Sequence, residues 1–208
     1  MREYQRDDRA DLDAVLDSTP LATIAFVRDG HPVALPIGFA RLGDEVVIHG
    51  STGSPWLRQL ASGAAVALSV STLDAVLVAR SGFESSFHYR SATVFGQFAA
   101  VGAAEKEEYL AGLTDVFIPG RVAELRPSTA RELAATLVLT MPLTTWSVKV
   151  NDGWPDDAQA DIDAGGWAGL VPIVSSYQMP LRAPDCDPGT PIPASVQAMV
   201  QSRPATGT

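Results

Sequence analysis

The chain of 208 residues predicts a mainly β protein, an antiparallel barrel with a few inserted helices. Three observations carry that expectation. Short runs rich in Val, Ile, Leu, Thr and Phe recur along the chain, and turn signals such as Asp29-Gly30 and Leu42-Gly43-Asp44 separate the first of them. The strict strand–helix alternation of a doubly wound sheet is missing.

Taken in order, Asp8 to Asp17 forms a leading helix, because Leu12, Val15 and Leu16 share helical spacing and carboxylates stand at its start. LATIAFVR and HPVALPIGF flank Asp29-Gly30, a dipeptide that accepts the positive φ angles of a two-residue hairpin. The turn at Leu42 to Asp44 leads to EVVIHG, and further strands are expected at AAVALSV, AVLVARS and YRSATVFGQF. Helices follow at Ala103 to Leu113 and at Ala130 to Met141. Thr129 and Glu132 open the latter as a capping box, and Leu133, Leu137 and Thr140 lie along one face. TTWSVKV and WAGLVPIV are the last strands. Six prolines between Met179 and Thr208 set off an extended arm, 179–208, with one short helix around Ala194 to Val200, from a barrel domain spanning 1–178.

Composition narrows the function. Hydrophobic residues make up 46% and charged residues 19%, which supports a packed core. A net charge of −9 opposes binding to nucleic acid or to anionic membranes. Charges interrupt the N-terminal stretch MREYQRDDRADLD, and no apolar run is long enough to span a bilayer, so a cytoplasmic protein is expected. The single cysteine, Cys186, excludes an intrachain disulfide and reads as a spectator thiol in APDCDPG. GxGxxG, Walker and HExxH motifs are absent, and no metal site is expected.

VVIHGSTGSPWLRQLASG carries the most chemistry. A strand ends at His49, a loop of Gly50 to Gly53 follows, and Ser54-Pro55 starts a helix bearing Trp56, Leu57, Arg58 and Leu60. Ser at the cap and Pro at the first helical position signal that start. Free amides there, beside three hydroxyls and a guanidinium, make a candidate phosphate cradle. The competing reading is an ordinary strand–loop–helix connection.

With its neighbours, this segment resembles the pyridoxamine-phosphate-oxidase-related family of flavin-nucleotide-binding proteins. The similarity runs from about Leu21 to Pro172 through PVALPIGF, LDAVLVARSGF, YRSATVFG before EKEEYL, PGR at Pro119 to Arg121, SVKV, GWPDD and WAGLVPI. The resemblance implies a homodimeric six-stranded split β-barrel with FMN between protomers, acting as an oxidoreductase on a small organic substrate. It places phosphate contacts on Ser51, Thr52, Ser54 and Arg58. The flavin ring would lie beside Leu35 to Gly38, including Pro36 and Ile37, and partner-facing contacts fall on Tyr89, Arg90, Ser91, Lys149 and Trp167. The chain departs from its relatives at Pro55, Glu84, Ser85, His88 and Asn151, and the last four are expected to gather round one pocket.

Glu84, His88 and Tyr89 are the candidate catalytic groups, His88 as general acid or haem ligand, with a surface or turn histidine as its competing reading. His49 is a candidate cofactor contact or, equally, a structural hydrogen-bonding residue, and His31 an exposed hairpin residue. Trp146 suits the core, while Trp154 and Trp167 are aromatic faces for a flat ring. Asp156, Asp157, Asp161 and Asp163 read as a solvated acidic loop. Haem on the same barrel, or non-catalytic flavin binding, are the alternative functions.

Overall fold

Antiparallel pairing organises the chain from its first hairpin. The computed structural model describes residues 4–201. After a two-residue strand β1 (Gln5–Arg6), helix α1 (Arg9–Leu16) starts where the Asp8 carboxylate accepts from the Ala10 amide, and it buries Leu12, Val15 and Leu16. β2 (Leu21–Arg28) and β3 (His31–Leu42) are joined by Asp29 and Gly30 at φ 51° and 77°, as that dipeptide predicts. β4 (Glu45–Ser51) follows after Gly43, also left-handed at φ 60°.

Helix α2 (Pro55–Ala61) then leads into β5 (Ala65–Val78), β6 (Ser86–Gln97) and the short β7 (Ala99–Ala100). Here the two strands expected from AAVALSV and AVLVARS are one. β5 runs through both, with a bulge at Asp74, because Leu73 pairs with Tyr89 while Ala75 pairs with His88.

Helix α3 covers Lys106–Phe117 rather than 103–113, since residues 103–105 make a turn before it. The helix expected over Ala130 to Met141 is overturned. α4 ends at Ala135 (Ala130–Ala135), although its capping box forms as anticipated, and Thr136–Pro142 is strand β8. Two forces decide this. β4 needs an edge partner and pairs with β8 from Glu45↔Pro142 to Ser51↔Thr136, and Lys106 Nζ donates to the Leu133 and Thr136 carbonyls, closing the helix end. The apolar run LVLTM satisfies either period, so tertiary pairing chooses.

β9 (Thr145–Asn151), α5 (Gln159–Asp163), β10 (Gly169–Pro172) and α6 (Ala194–Gln201) complete the chain. All strand pairs are antiparallel, in the order β1-β9-β6-β5-β2-β3-β4-β8-β7 with β10 on β5. The short β1, β7 and β10 extend the expected barrel strands at their edges. Side chains of β2 to β6, β8 and β9 enclose a core around Ile24, Phe39, Ile48, Leu68, Val94 and Leu139, with α1 and α2 packed against it. A second, smaller cluster lies between α3 and the outer side of β3, β4 and β8. No helix among the described residues is long and apolar enough to cross a membrane.

The acidic loop after β9 differs from expectation at one residue. The Asp157 side chain is 1% exposed, accepting from the Arg80 amide and guanidinium at 2.9 Å each, so it pins the loop to the β5–β6 hairpin.

The C-terminal helix is held at its first turn by Glu124, which accepts from the Ser195 hydroxyl at 2.6 Å and the Ser195 amide at 3.1 Å. These bonds, with a further contribution from Arg121, lower the Glu124 carboxyl from 4.5 to about 2. A depressed carboxylate stabilises the docked state above its unfolded pKa, and that stabilisation is lost as pH falls through the folded value. Hydrogen exchange should therefore show α6 protection weakening below about pH 4.5 and gone near pH 2. Glu124→Gln should weaken it already at neutral pH.

Candidate functional site

The loop after β4 is drawn tight by its own hydrogen bonds. The Thr52 amide and hydroxyl both donate to the Ala135 carbonyl, at 2.9 and 3.2 Å, tying the loop to the end of α4. The Gly53 amide donates to Ser51 Oγ at 3.1 Å and the Ser54 amide to the Ser51 carbonyl at 3.0 Å. The expected cradle of free amides is thus reduced, because the turn consumes those of Thr52 to Ser54. Pro55 has no N–H to offer, and the Ser54 side chain does not cap the helix. What the loop presents instead is the Ser54 hydroxyl and Arg58, whose guanidinium folds back to the Thr52 carbonyl at 3.4 Å. The ring of Trp56 stacks on Phe26 with centroids 6.2 Å apart, fixing α2 to the barrel.

His49 lies one residue before this loop, opposite Val138 and one step beyond the Phe39–Ile48 pair, which brings it beside Gly38. Phe117 of α3 packs so closely over Gly38 that a Cβ there would stand 3.1 Å from its ring. His49 is half-buried, its Nδ1 is fully buried without a hydrogen-bond partner, and burial lowers its pKa below the ordinary imidazole value. Burial therefore favours the neutral form of the ring.

On β3 the flavin-facing expectation divides by strand alternation. Leu35 and Ile37 pack against the core, whereas Pro36 is exposed opposite Thr23 on the outer face. That face continues across the sheet through Ser71, Ser91 and Lys149, which are successive partners in the ladder. Ser91, Lys149 and Tyr89 form no side-chain hydrogen bond among the described residues. Arg90 is committed elsewhere: both arms of its guanidinium bind the Asp74 carboxylate at 2.9 Å, and that pairing raises its pKa. Trp167 is 66% exposed, its ring against Gly169.

The four departures share one end of the sheet. Asn151 Nδ2 donates to the Phe87 carbonyl at 2.8 Å, and His88 Nε2 lies 2.7 Å from the Gly153 carbonyl. Ser85 Oγ donates to the Ser81 carbonyl, and the Glu84 amide donates to Ser81 Oγ. These bonds knit the β5–β6 turn to the loop after β9. His88 and Asn151 are thus neighbours across two strands, but the polar groups of Ser85, His88 and Asn151 are spent on backbone partners. Sequence reading missed Asp74, the extra residue at the bulge of β5. Among the described residues no group of three or more His, Cys, Asp or Glu is placed to hold a metal ion.

Comparison with known proteins places this geometry in context. The family model described as pyridoxamine 5'-phosphate oxidase matches residues 8–150. The FAD and haem binding protein from Mycobacterium smegmatis is 60% identical, with 97% of this chain and 98% of that chain covered and a TM-score of 0.93. The flavocytochrome Anf3 from Azotobacter vinelandii is 33% identical, with 95% and 92% covered and a TM-score of 0.88. A 5-nitroimidazole antibiotic resistance protein from Bacteroides thetaiotaomicron, at 14% identity and a TM-score of 0.61 over 70% of this chain and 86% of that one, shares the fold. No curated protein matches.

Gly50 sets how closely α2 approaches β4, because a Cβ at that position would collide with Leu57 Cδ1. Gly50→Ala is expected to destabilise the protein by about 1–3 kcal/mol, as overpacking does. Urea unfolding followed by tryptophan fluorescence measures it.

Proposed function

The chain belongs to the pyridoxamine 5'-phosphate oxidase family, and we propose that it is a redox protein binding both FAD and haem, an oxidoreductase of flavocytochrome type. One observation carries the reading: 60% identity over nearly the whole of both chains to a protein that binds FAD and haem. FAD takes the place of the FMN expected from the family at large. When bound, a flavin exchanges hydride or single electrons, and a haem iron exchanges single electrons.

The residues present fit both groups. Arg58 and the hydroxyls of Ser51, Thr52 and Ser54 surround the loop that would hold the flavin's phosphates, with Arg58 supplying the positive charge. Pro36 is exposed on the outer face that would take the flat ring, and Lys149 and Ser91 supply donors further along it. For the iron, we assign His49. Burial favours its neutral form, and its buried Nδ1 has no hydrogen-bond partner among the described residues, whereas His88 is held by the Gly153 carbonyl and His31 is exposed in a hairpin. The orphaned Nδ1 is what a side chain waiting for a ligand or a cofactor contact shows.

The outer face of β2, β3, β5 and β6 carries Leu21, Val27 and Phe95 exposed at 58%, 61% and 43%, beside Ala25, Ala34 and Ala67. We assign that face to a second copy of the chain, as the family resemblance implies. Sedimentation at low micromolar concentration should give a dimer, and a well-folded monomer there would remove this part of the reading.

The experiment for the cofactors is an absorption spectrum of protein produced with haem supplied, followed by release and chromatography of the flavin. Flavin bands with a Soret band, and FAD in the released fraction, are expected. A spectrum with neither overturns the function. His49→Ala should lose the Soret band while keeping the flavin bands, and His88→Ala should keep both.

A further inference from the structure

Strand alternation turns every second residue of β2, β3, β5 and β6 away from the core, and along 21–27, 32–36, 65–73 and 91–95 none of these outward residues is charged. A sheet face left to solvent carries charged and polar side chains, whereas charge is depleted at the centre of an interface between proteins.

The ladder sets these residues in rows that run across the strands. Ala34, Ala25, Ala67 and Phe95 are successive partners in one row, and Pro36, Thr23, Ser69 and Thr93 in the next. One row further on stand Leu21 of β2 and the Ser71–Ser91 pair, and Leu73 lies beyond them. Adjacent rows are two residues, about 7 Å, apart. The face is therefore banded, with alanines towards one end, hydroxyls in the middle and leucines towards the other.

Bulk is distributed unevenly between the bands. Ala25, Ala34 and Ala67 floor a groove of about 640 Å³ that Val27 and Phe95 wall. On the other side of the hydroxyl row Leu21 and Leu73 project, 58% and 48% exposed. Within that row Thr93 Oγ1 donates to Ser69 Oγ at 3.4 Å, and the Thr23 hydroxyl forms no hydrogen bond among the described residues. Hydroxyls both donate and accept, so such a row is complementary to its own copy.

A contact between the same faces of two copies is isologous, and its two-fold axis lies in the plane between the sheets. Sheets packed face to face keep their strands within about 30° of alignment, so the axis runs either along the strands or across them. An axis along the strands sets alanine against alanine and leucine end against leucine end, leaving a void beside crowded side chains. An axis across them, on the hydroxyl row, exchanges the two ends. Leu21 then lies over the partner's Ala25, Leu73 over the partner's Ala65 and Phe95 over the partner's Ser91. Large meets small at each place, as close packing requires.

We propose that two copies of the chain pair about an axis that crosses the strands on the Thr23–Ser69–Thr93 row, with Leu21 of each protomer seated in the alanine groove of the other. The proposal rests on the assignment of this face to a second copy made above, and adds the register of the pair.

The test uses the full chain, whose only cysteine is removed by Cys186→Ser, so that Leu21→Cys, Thr23→Cys, Ala25→Cys or Val27→Cys supplies a single thiol. With the axis on the Thr23 row, equivalent residues of the two protomers are offset along the strands by about 13 Å at 21 and 25 and by about 27 Å at 27, with no offset at 23. A short bismaleimide should join Thr23→Cys protomers into covalent dimers and leave Val27→Cys protomers single. Co-expressed Leu21→Cys and Ala25→Cys chains should cross-link several-fold more than either alone. Ala25→Leu should fill the groove and raise the dimer dissociation constant about tenfold or more, and adding Leu21→Ala should restore dimerisation by exchanging knob and hole. Equal cross-linking at the four positions, or most at Val27→Cys, overturns the proposal while the dimer stands. So does an Ala25→Leu dimer as tight as wild type, or one that Leu21→Ala fails to restore. A wild-type chain that sediments as a monomer at low micromolar concentration removes the assignment of the face itself, and the proposal with it.

Discussion

Strand β5 is the member on which the remaining elements are registered, and the pair between Arg90 and Asp74 is what allows it to serve two neighbours. Along one edge β5 lies against β6 for nearly its whole length. Along the other it pairs with β2 through Val66 to Ser69 and with β10 through Ala75 to Val78. The change of partner falls where Asp74 is the extra residue of a bulge, and the Arg90 guanidinium grips that carboxylate with two parallel bonds. Such a fork defines direction as well as distance, so the bend has one geometry.

Consequences spread from that bend to both ends of the sheet. The Asp74 carbonyl receives the Ile173 amide, which sets the segment leaving β10 against the Ser71–Leu73 stretch. Beyond the bulge, Arg80 reaches Asp157, and His88 and Asn151 hold the loop after β9 to the same hairpin. Residues that stand out as departures from the family therefore act first as builders of this end of the fold. Arg90, a partner-facing contact by resemblance, is spent on Asp74.

At the opposite side of the sheet a different economy applies. The loop after β4 satisfies most of its own amides, and what remains outward is side chain: hydroxyls, Arg58, and the unpaired imidazole of His49. Among the described residues two buried side-chain polar atoms lack a partner, His49 Nδ1 and Thr72 Oγ1. Leaving such atoms unsatisfied costs stability, and folds retain that cost where a ligand repays it.

By itself the sequence determined the features that rest on local chemistry. Asp29-Gly30 had to turn, Asp8 had to cap a helix containing Leu12 and Leu16, and Thr129 with Glu132 had to open another. The order of strand pieces was also enough to show the family. Other features were decided only in three dimensions, because local preference there is balanced. LVLTM satisfies a helix or a strand, and the open edge of β4 together with Lys106 made it β8. Which of three histidines is left without a partner, which hydroxyl is buried unpaired, and that Asp157 is a buried clamp all depend on what the remainder of the chain brings beside them. Hydrogen-bond satisfaction is a property of neighbours distant in sequence, and no period or motif in the chain records it.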